Sequence, residues 1–388
     1  MVPVSYNIRS LTHRKTTTIA TALGIMLVVL IFAGSAMLAD GIKTTLGKSG
    51  SDDIAIVLRD GSDAELSSNI EVPNVGLILA GNDVRRRSDG QPDGVGEIIA
   101  VLALDKFGTE GVSNVQVRGV TQASFAFRPS IRIVEGRAAR DGQDEAVVGR
   151  SIMGRFRGLE LGQSFEIKKN RRVTVVGVMA DSGSSYESEI WTDIDVVRSS
   201  FGRDALVSSV RARLRSASAF PAFERSLENN RQLGVEVTRE TDYYSKQSEG
   251  TGQLLGVMGT LIAFFCSLGA MIGAMITMHA AVANRSREIG TLRALGFSKM
   301  SILFAFLLEA VILSAVGGIA GVLASFALNG YGFSIMNMAS WSEITFRFHW
   351  TPGIAISSLI FAAVMGLFGG LFPAIRAARV NVLQALRG

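Results

Sequence analysis

Four long apolar runs interrupt an otherwise mixed chain. Ile19 to Ala39 is 21 residues without a charge, and Leu254 to Ala283 is 30 residues with His279 but no Asp, Glu, Lys or Arg. Ile302 to Leu328 is 27 residues with one charge, Glu309, and Pro352 to Ile375 is 24 residues with none. A helix rises about 1.5 Å per residue, so about 20 apolar residues cross a hydrocarbon core of roughly 30 Å. Buried core helices are usually shorter and flanked by amphipathic neighbours, so all four runs read as membrane spans. The first has a competitor, a cleaved signal peptide, because Arg14 and Lys15 precede it and Gly34-Ser35-Ala36 resembles a cleavage site. Its 21 apolar residues exceed the roughly 7–15 of a signal core, which favours the span.

The intervening segment, 40–251, has a different rhythm. Short β-favouring runs occur at Asp53–Leu58, Val115–Val117, Ser130–Val134, Arg172–Val178, Val207–Leu214 and Val235–Thr238. Helix-like stretches occur at Gly96–Leu104, Ile152–Phe156 and Phe220–Asn230. The stretch 207–238 predicts a βαβ-type unit, and 131–200 a separate β-rich lobe with turns at Gly136, Gly149, Gly162 and Gly177. The expected fold class is a membrane α-helical protein of four transmembrane helices, with an α+β extracytoplasmic domain inserted between helices 1 and 2.

Charge fixes the orientation. Arg9, Arg14 and Lys15 precede the first span. Arg285, Arg287, Arg293 and Lys299 separate the second and third, and Arg376, Arg379 and Arg387 follow the fourth. The loop between spans three and four carries Arg347 beside Glu343. The positive-inside rule then places both termini and the 284–301 loop in the cytoplasm. The resulting divisions are a cytoplasmic amphipathic segment at 1–17, spans at 18–39, 252–283, 302–329 and 351–375, an external domain at 40–251, a cytoplasmic loop at 284–301, a short external loop at 330–350 and a cytoplasmic tail at 376–388. The 388-residue chain has 39 Lys/Arg and 34 Asp/Glu, a net charge of +5. Residues 40–251 hold 28 Lys/Arg against 31 Asp/Glu, and the rest 11 against 3. The basic character is therefore a topology signal, and nucleic acid is not an expected partner. Membrane lipid is.

Candidate chemistry is sparse. One cysteine, Cys266, excludes an intramolecular disulfide and a cysteine zinc site, and three scattered histidines make a metal cluster unexpected. Gly41–Ser49 (GIKTTLGKS) looks like a phosphate loop, but it has five residues between its glycines where the motif has four, and it follows a span rather than a strand. Arg85-Arg86-Arg87 reads as a solvated loop, with a contact to an acidic partner or lipid headgroup as the sharper reading. Asp181–Ser188 (DSGSSYES) reads as a flexible Ser-rich loop with no base near its serines. Neither a catalytic site nor a cofactor site is expected in this chain.

The most informative stretch is 284–300. Arg287–Leu295 has good helix formers and places Ile289, Leu292 and Leu295/Gly296 towards one side, with Arg285, Arg287, Glu288, Arg293 and Lys299 around them. Such a helix suits a groove on a cytoplasmic partner. Glu309, seven residues into span three, reads as a carboxylate bonded to a neighbouring helix or snorkelling towards water, or as a polar contact that reports the partner's state. Gly269/Gly273, Gly317/Gly321 and Gly366/Gly370 are pairs that let helices approach closely.

At this point the sequence resembles a known family. Arg287-Glu288-Ile289-Gly290-Thr291-Leu292-Arg293-Ala294-Leu295-Gly296 is similar to the cytoplasmic hallmark of MacB/FtsX-like ABC transporter permeases. The likeness continues in Leu307-Leu308-Glu309-Ala310, Gly317-Gly318, Pro373–Arg379 and Ala385-Leu386-Arg387, although Val382 stands where the family usually has Pro. Asn7–Gly24 resembles the family's N-terminal helix and first span. Glu135-Gly136-Arg137, Ala146–Gly149, Leu161-Gly162 and Val175–Val178 resemble parts of its periplasmic core domain.

The resemblance implies a bacterial inner-membrane permease that works as a homo- or heterodimer with separate cytoplasmic ABC ATPase subunits, which bind ATP and Mg. It implies that Arg285, Arg287, Glu288, Ile289, Leu292, Arg293, Leu295 and Gly296 couple to the ATPase. Arg376, Arg379 and Arg387 would form a second contact. ATP hydrolysis would move the periplasmic domain for export or extraction, with a periplasmic adaptor and an outer-membrane duct as further partners. The alternative within the family is an FtsX-like signal transducer acting on an envelope hydrolase or sensor. A membrane-anchored external enzyme is the reading from another class, and the missing catalytic constellation argues against it.

Overall fold

The structure, a computed structural model, describes residues 15–380. The N-terminal segment before Lys15, and Val382 and Arg387 of the tail, lie outside the described residues. The chain forms two compact units. The first takes residues 15–40, 253–331 and 348–380 of the described chain, and the second takes residues 41–252 and 332–347.

Four helices among the described residues are long and apolar enough to cross a membrane: Lys15–Gly47, Glu240–Asn284, Lys299–Phe326 and Pro352–Ala378, called spans 1 to 4 below. Small residues set how they pack. A side chain at Gly317 would meet the Ala22 carbonyl at 2.8 Å, and one at Gly321 the Met26 carbonyl and Val29 Cβ, both at 2.8 Å, so spans 1 and 3 touch backbone to backbone. Gly366 and Gly370 lie against Ser314 and Ala310, which brings span 4 onto span 3 in the same way. Gly269 and Gly273 have open space beside them. Ile25, Val28, Val29, Ala362 and Met365 fill the centre of this unit, and Phe32 stacks on Phe361 at 4.6 Å. Thr21 and Thr277 hydroxyls meet at 3.2 Å between spans 1 and 2. His349 Nδ1 and the Asp40 carboxylate meet at 2.5 Å between span 1 and the residues leading into span 4.

The second unit is built on a ten-stranded sheet. Its strands are β1 (Ile54–Arg59), β3 (Gly94–Asp105), β4 (Val112–Val120), β5 (Arg132–Gly136), β6 (Glu145–Gly149), β7 (Ser164–Lys168), β8 (Arg171–Ala180), β9 (Glu189–Asp193), β11 (Ser209–Arg213) and β12 (Val235–Arg239). Their order is β12-β1-β11-β3-β4-β9-β6-β8-β5, with β7 beside β8. Two short strands, β2 (Ile70–Glu71) and β10 (Leu206–Val207), pair separately. β11 and β12 both run antiparallel to β1 and hence parallel to each other, with helix Phe220–Glu228 between them in sequence, which is the expected βαβ unit with β1 inserted.

Three expectations are corrected. Gly96–Leu104 is strand, because its register with β4 from Ile98↔Gly119 to Asp105↔Val112 overrides the helix preference of Ala and Leu. Ile152–Phe156 forms turns closed by Ile152 and Met153 N–H groups donating to the Gly149 carbonyl. The 131–200 stretch is not a separate lobe, since β9 pairs in parallel with β4 and continues the same sheet. Within 330–350, which reads as a loop, the structure forms a hairpin, β13 (Gly332–Asn337) and β14 (Ser342–Arg347). This hairpin belongs to the second unit, where Glu343 takes Arg155 at 2.5 Å and Lys106 at 3.0 Å.

The two faces of the sheet differ. Residues directly opposite across a ladder share a face. Ala55, Val57, Ile98, Ala100, Val115, Val117, Ile190, Val210 and Ala212 build the apolar core on one side. The alternate positions Glu97, Arg118, Glu189, Ser209 and Arg211 share the other face, and all are buried as well.

Candidate functional site

The cytoplasmic loop of the sequence reading folds as a short helix, Ser286–Ala294, between spans 2 and 3. Arg285 stands at its N-cap, buried, with Nε 3.1 Å from Glu288 and Nη1 3.1 Å from Glu309. The isolated carboxylate of span 3 therefore meets a residue of the predicted docking set. Pairing is what makes two buried charges tolerable in an apolar bundle. The guanidinium also lies 5.5 Å over the Phe306 ring. Gly296, at φ 95°, ends the helix in the left-handed conformation that glycine adopts without strain, and Phe297 N–H returns to the Leu292 carbonyl at 3.2 Å.

The predicted docking residues divide into an inner and an outer group. Ile289 is buried with Met278, Val282, Ile302, Phe306, Ala310, Ala374 and Ala377. Leu292 and Arg293 are half-buried, and Arg287, Glu288, Leu295 and Gly296 are exposed. Ile289 and Leu295 do not share a side, because six residues are about 120° apart around a helix. Leu295 is 73% exposed, an apolar side chain that the described residues leave largely uncovered. Arg376 and Arg379 are exposed at the end of span 4, one turn from the alanines that pack around Ile289. Arg387 lies outside the described residues.

A second constellation escaped the sequence reading. In the second unit three guanidiniums, Arg118, Arg128 and Arg211, meet four carboxylates, Glu65, Glu97, Glu189 and Glu240, and all seven are buried. Glu97 accepts from Arg128 at 2.7 and 2.9 Å and from Arg118 and Arg211 at 3.0 Å each. Glu65 spans Arg118 at 3.0 Å and Arg211 at 2.8 Å, Glu189 takes Arg118 Nε at 2.7 Å, and Glu240 takes Arg211 Nε at 2.8 Å. Burial alone would raise the Glu97 carboxyl, but Arg128, Arg118 and Arg211 together outweigh it and hold it down at about 2. Glu65 is likewise held well below the ordinary range by Arg118 and Arg211 against its own burial. Tyr186 moves the other way, raised by burial and then by Glu240. The available signal was a charge inside an apolar strand run, as at Glu97, Arg118 and Arg211.

The Ser-rich loop Asp181–Ser188 is also corrected. It is ordered and largely buried, with a 3-10 turn at Ser185–Ser188. The Glu187 carboxylate accepts from Asp181 N–H and Gly183 N–H, both at 2.8 Å, and from Ser151 Oγ at 3.1 Å. Arg85 of the arginine triplet is tied to Asp93. Among the described residues no group of three or more His, Cys, Asp or Glu is arranged to hold a metal ion.

Comparison with known proteins matches residues 16–230 to the family of the MacB-like periplasmic core domain and residues 260–382 to the FtsX-like permease C-terminal family. The chain is 28% identical over 299 residues to the macrolide export ATP-binding/permease protein MacB of Bdellovibrio bacteriovorus, covering 71% of this chain and 44% of that protein. It is 30% identical over 223 residues to the MacB of Burkholderia cenocepacia, covering 55% of this chain and 31% of that protein. To the ABC transporter permease YknZ of Bacillus subtilis it is 27% identical over 207 residues, covering 52% and 49%. The chain spans less than half the length of each of these relatives.

Proposed function

Because the chain belongs to the family of MacB/FtsX-like ABC transporter permeases and is a multi-pass inner-membrane protein, we propose that it is the permease subunit of an ABC transporter whose ATP is hydrolysed on a separate cytoplasmic ATPase. Both termini and the helix Ser286–Ala294 face the cytoplasm in this reading, which the excess of basic residues at those span ends supports. The subunit works as a dimer, and ATP-driven movement reaches its periplasmic unit to export or extract a periplasmic substrate. The large external unit favours this over the signalling alternative.

The observation that carries the reading is the division of the short helix. Ile289 and the Arg285–Glu309 pair fix it to the ends of spans 3 and 4, so it moves with them. Arg287, Glu288 and Leu295, with Arg376 and Arg379 nearby, remain as an outward surface of mixed charge and one apolar knob. An exposed leucine rimmed by charge is the pattern of a small helical docking element.

Co-purification with the cognate ATPase tests it. Leu295→Asp combined with Arg287→Glu is expected to abolish the complex while the chain stays folded in detergent. Retention of a wild-type yield of complex would remove this helix as the coupling element. Failure of the unaltered chain to bind any ABC ATPase would remove the permease assignment itself.

A further inference from the structure

Three separate stretches of chain connect the second unit to the spans. Lys48 and Ser49 directly follow span 1, Glu240 and Tyr244 open span 2, and the β13–β14 hairpin lies between spans 3 and 4. All three meet on the same eight residues, Asp181–Ser188. Lys48 Nζ donates to the Ser182 carbonyl at 3.0 Å. Ser185 N–H donates to Ser49 Oγ at 2.9 Å, and the two hydroxyl oxygens are 2.8 Å apart. Tyr186 hydroxyl reaches Glu240 at 3.4 Å and receives Tyr244 hydroxyl at 3.0 Å. Thr345 N–H, from the hairpin, donates to Ser188 Oγ at 3.0 Å.

The loop is built to hold its shape. Glu187 satisfies two of its backbone N–H groups, and Ser184 Oγ donates to Asp181 at 2.6 Å. Ser184, Ser185, Tyr186, Glu187 and Ser188 are buried, as are Ser49, Glu240 and Tyr244. Water does not replace these bonds when they break, so parting them strands buried hydroxyls and a carboxylate. The loop runs directly into β9, where Glu189 enters the ionic layer and Trp191 donates to Glu189 at 2.8 Å.

We propose that Asp181–Ser188 is a rigid transmission junction. It gathers displacement arriving from span 1, span 2 and the hairpin and delivers it through β9 to the centre of the sheet. This rests on the permease reading above, since it supposes that an ATPase moves the spans. It adds the hairpin as a third input beside the two helices. A sequence motif with serine hydroxyls but no base then has a mechanical use.

The test uses the full chain with its ATPase in lipid nanodiscs, in a Cys266→Ala background. Amide hydrogen exchange is compared with and without ATP. The unaltered junction is expected to show an ATP-dependent change both at the cytoplasmic span ends and in β4 and β9. Ser49→Ala/Tyr186→Phe/Ser188→Ala is expected to keep the change at the span ends and to lose at least about five-fold of it in the sheet, the lower end of typical coupling between sites. A second variant guards against misfolding. Ser49→Cys/Ser185→Cys, added to Tyr186→Phe/Ser188→Ala, allows a disulfide across the junction. The oxidised form is expected to regain the response of the sheet, and the same protein after reduction to lose it. An undiminished sheet response in the triple variant, or no recovery on oxidation, overturns the junction while the permease reading stands. Absence of any ATP-dependent change at the span ends overturns that reading and the junction with it.

Discussion

Glu97→Gln keeps the shape of the side chain and removes one charge from the buried ionic layer, so it separates charge counting from geometry. The layer holds three guanidiniums and four carboxylates, a net charge of −1. Counting alone says that neutralising one carboxylate helps. The geometry says the opposite. Both terminal nitrogens of Arg128 are bonded to Glu97, at 2.7 and 2.9 Å, and Arg118 and Arg211 each add a bond of 3.0 Å. Removing one partner of a buried ion pair costs about 3–5 kcal/mol, because the other charge stays desolvated and uncompensated. For a unit of roughly 200 residues each kcal/mol shifts the unfolding temperature by about 2–4 °C, so a fall of about 6–20 °C is expected. Trp191 reports it by fluorescence, since it is fully buried beside the layer, with Arg128 5.5 Å from its ring. Glu97→Gln/Arg128→Met then removes both partners, and its loss should be smaller than the sum of the single losses by about 0.5–3 kcal/mol. An unfolding temperature within about 2 °C of the parent for Glu97→Gln, below what 1 kcal/mol produces, or strict additivity in the cycle, would show that these contacts contribute little.

The same layer sets a pH dependence. Glu65 and Glu97 titrate below their ordinary value of 4.5, Glu97 at about 2. A carboxyl whose folded value is depressed contributes fully above its unfolded value and loses that contribution as pH falls through the folded one. Thermal unfolding of the second unit should therefore be flat with respect to these groups above pH 4.5 and fall steeply towards pH 2; a fall beginning near neutrality would contradict it. In the first unit, Gly321→Val should destabilise the fold by about 1–3 kcal/mol of overpacking and lower the yield of folded chain, because its Cβ site is 2.8 Å from Met26 and Val29. Gly273→Val, with open space beside it, should not, and equal behaviour of the two in a detergent stability assay would refute the packing. Glu309→Leu withdraws a carboxylate from buried Arg285 and should lower the unfolding temperature and the ATPase complex together, with Arg285→Leu/Glu309→Leu recovering stability by size-exclusion monitored melting.

The spans were legible because lipid demands one thing of a helix, a long run without charge, and the chain supplies it four times. The short helix Ser286–Ala294 was legible in place and type, but not in orientation. Which of its residues face outward depends on Ala374 and Ala377, some 85 positions away in sequence. β3 was not legible, because Ile-Ile-Ala-Val-Leu-Ala-Leu satisfies helix and strand preferences equally and only the β4 ladder decides. The hairpin at 332–347 was not legible because its short strands have no core of their own; they are fixed by Arg155, Lys106 and Ser188 of the second unit.

The ionic layer shows a deeper limit. SVRAR and VQVRG alternate as a strand with one wet face would, and local sequence supports that reading. The face is dry because Glu65 comes over it from the 60s, Tyr186 from the Ser-rich loop, and Glu240, Tyr243 and Tyr244 from the start of span 2. An apolar cover would have buried the face more cheaply, and replacing buried ion pairs with apolar side chains is often neutral or stabilising. Directional bonds do something that apolar contact does not. Arg211 bonds to Glu65, Glu97 and Glu240 at 2.8 to 3.0 Å, so a shift of span 2's first turn along the sheet breaks charge pairs rather than sliding over a smooth surface. A layer with that property resists slippage between the helix and the strand, which is what the proposed movement of the spans would need in order to reach the sheet.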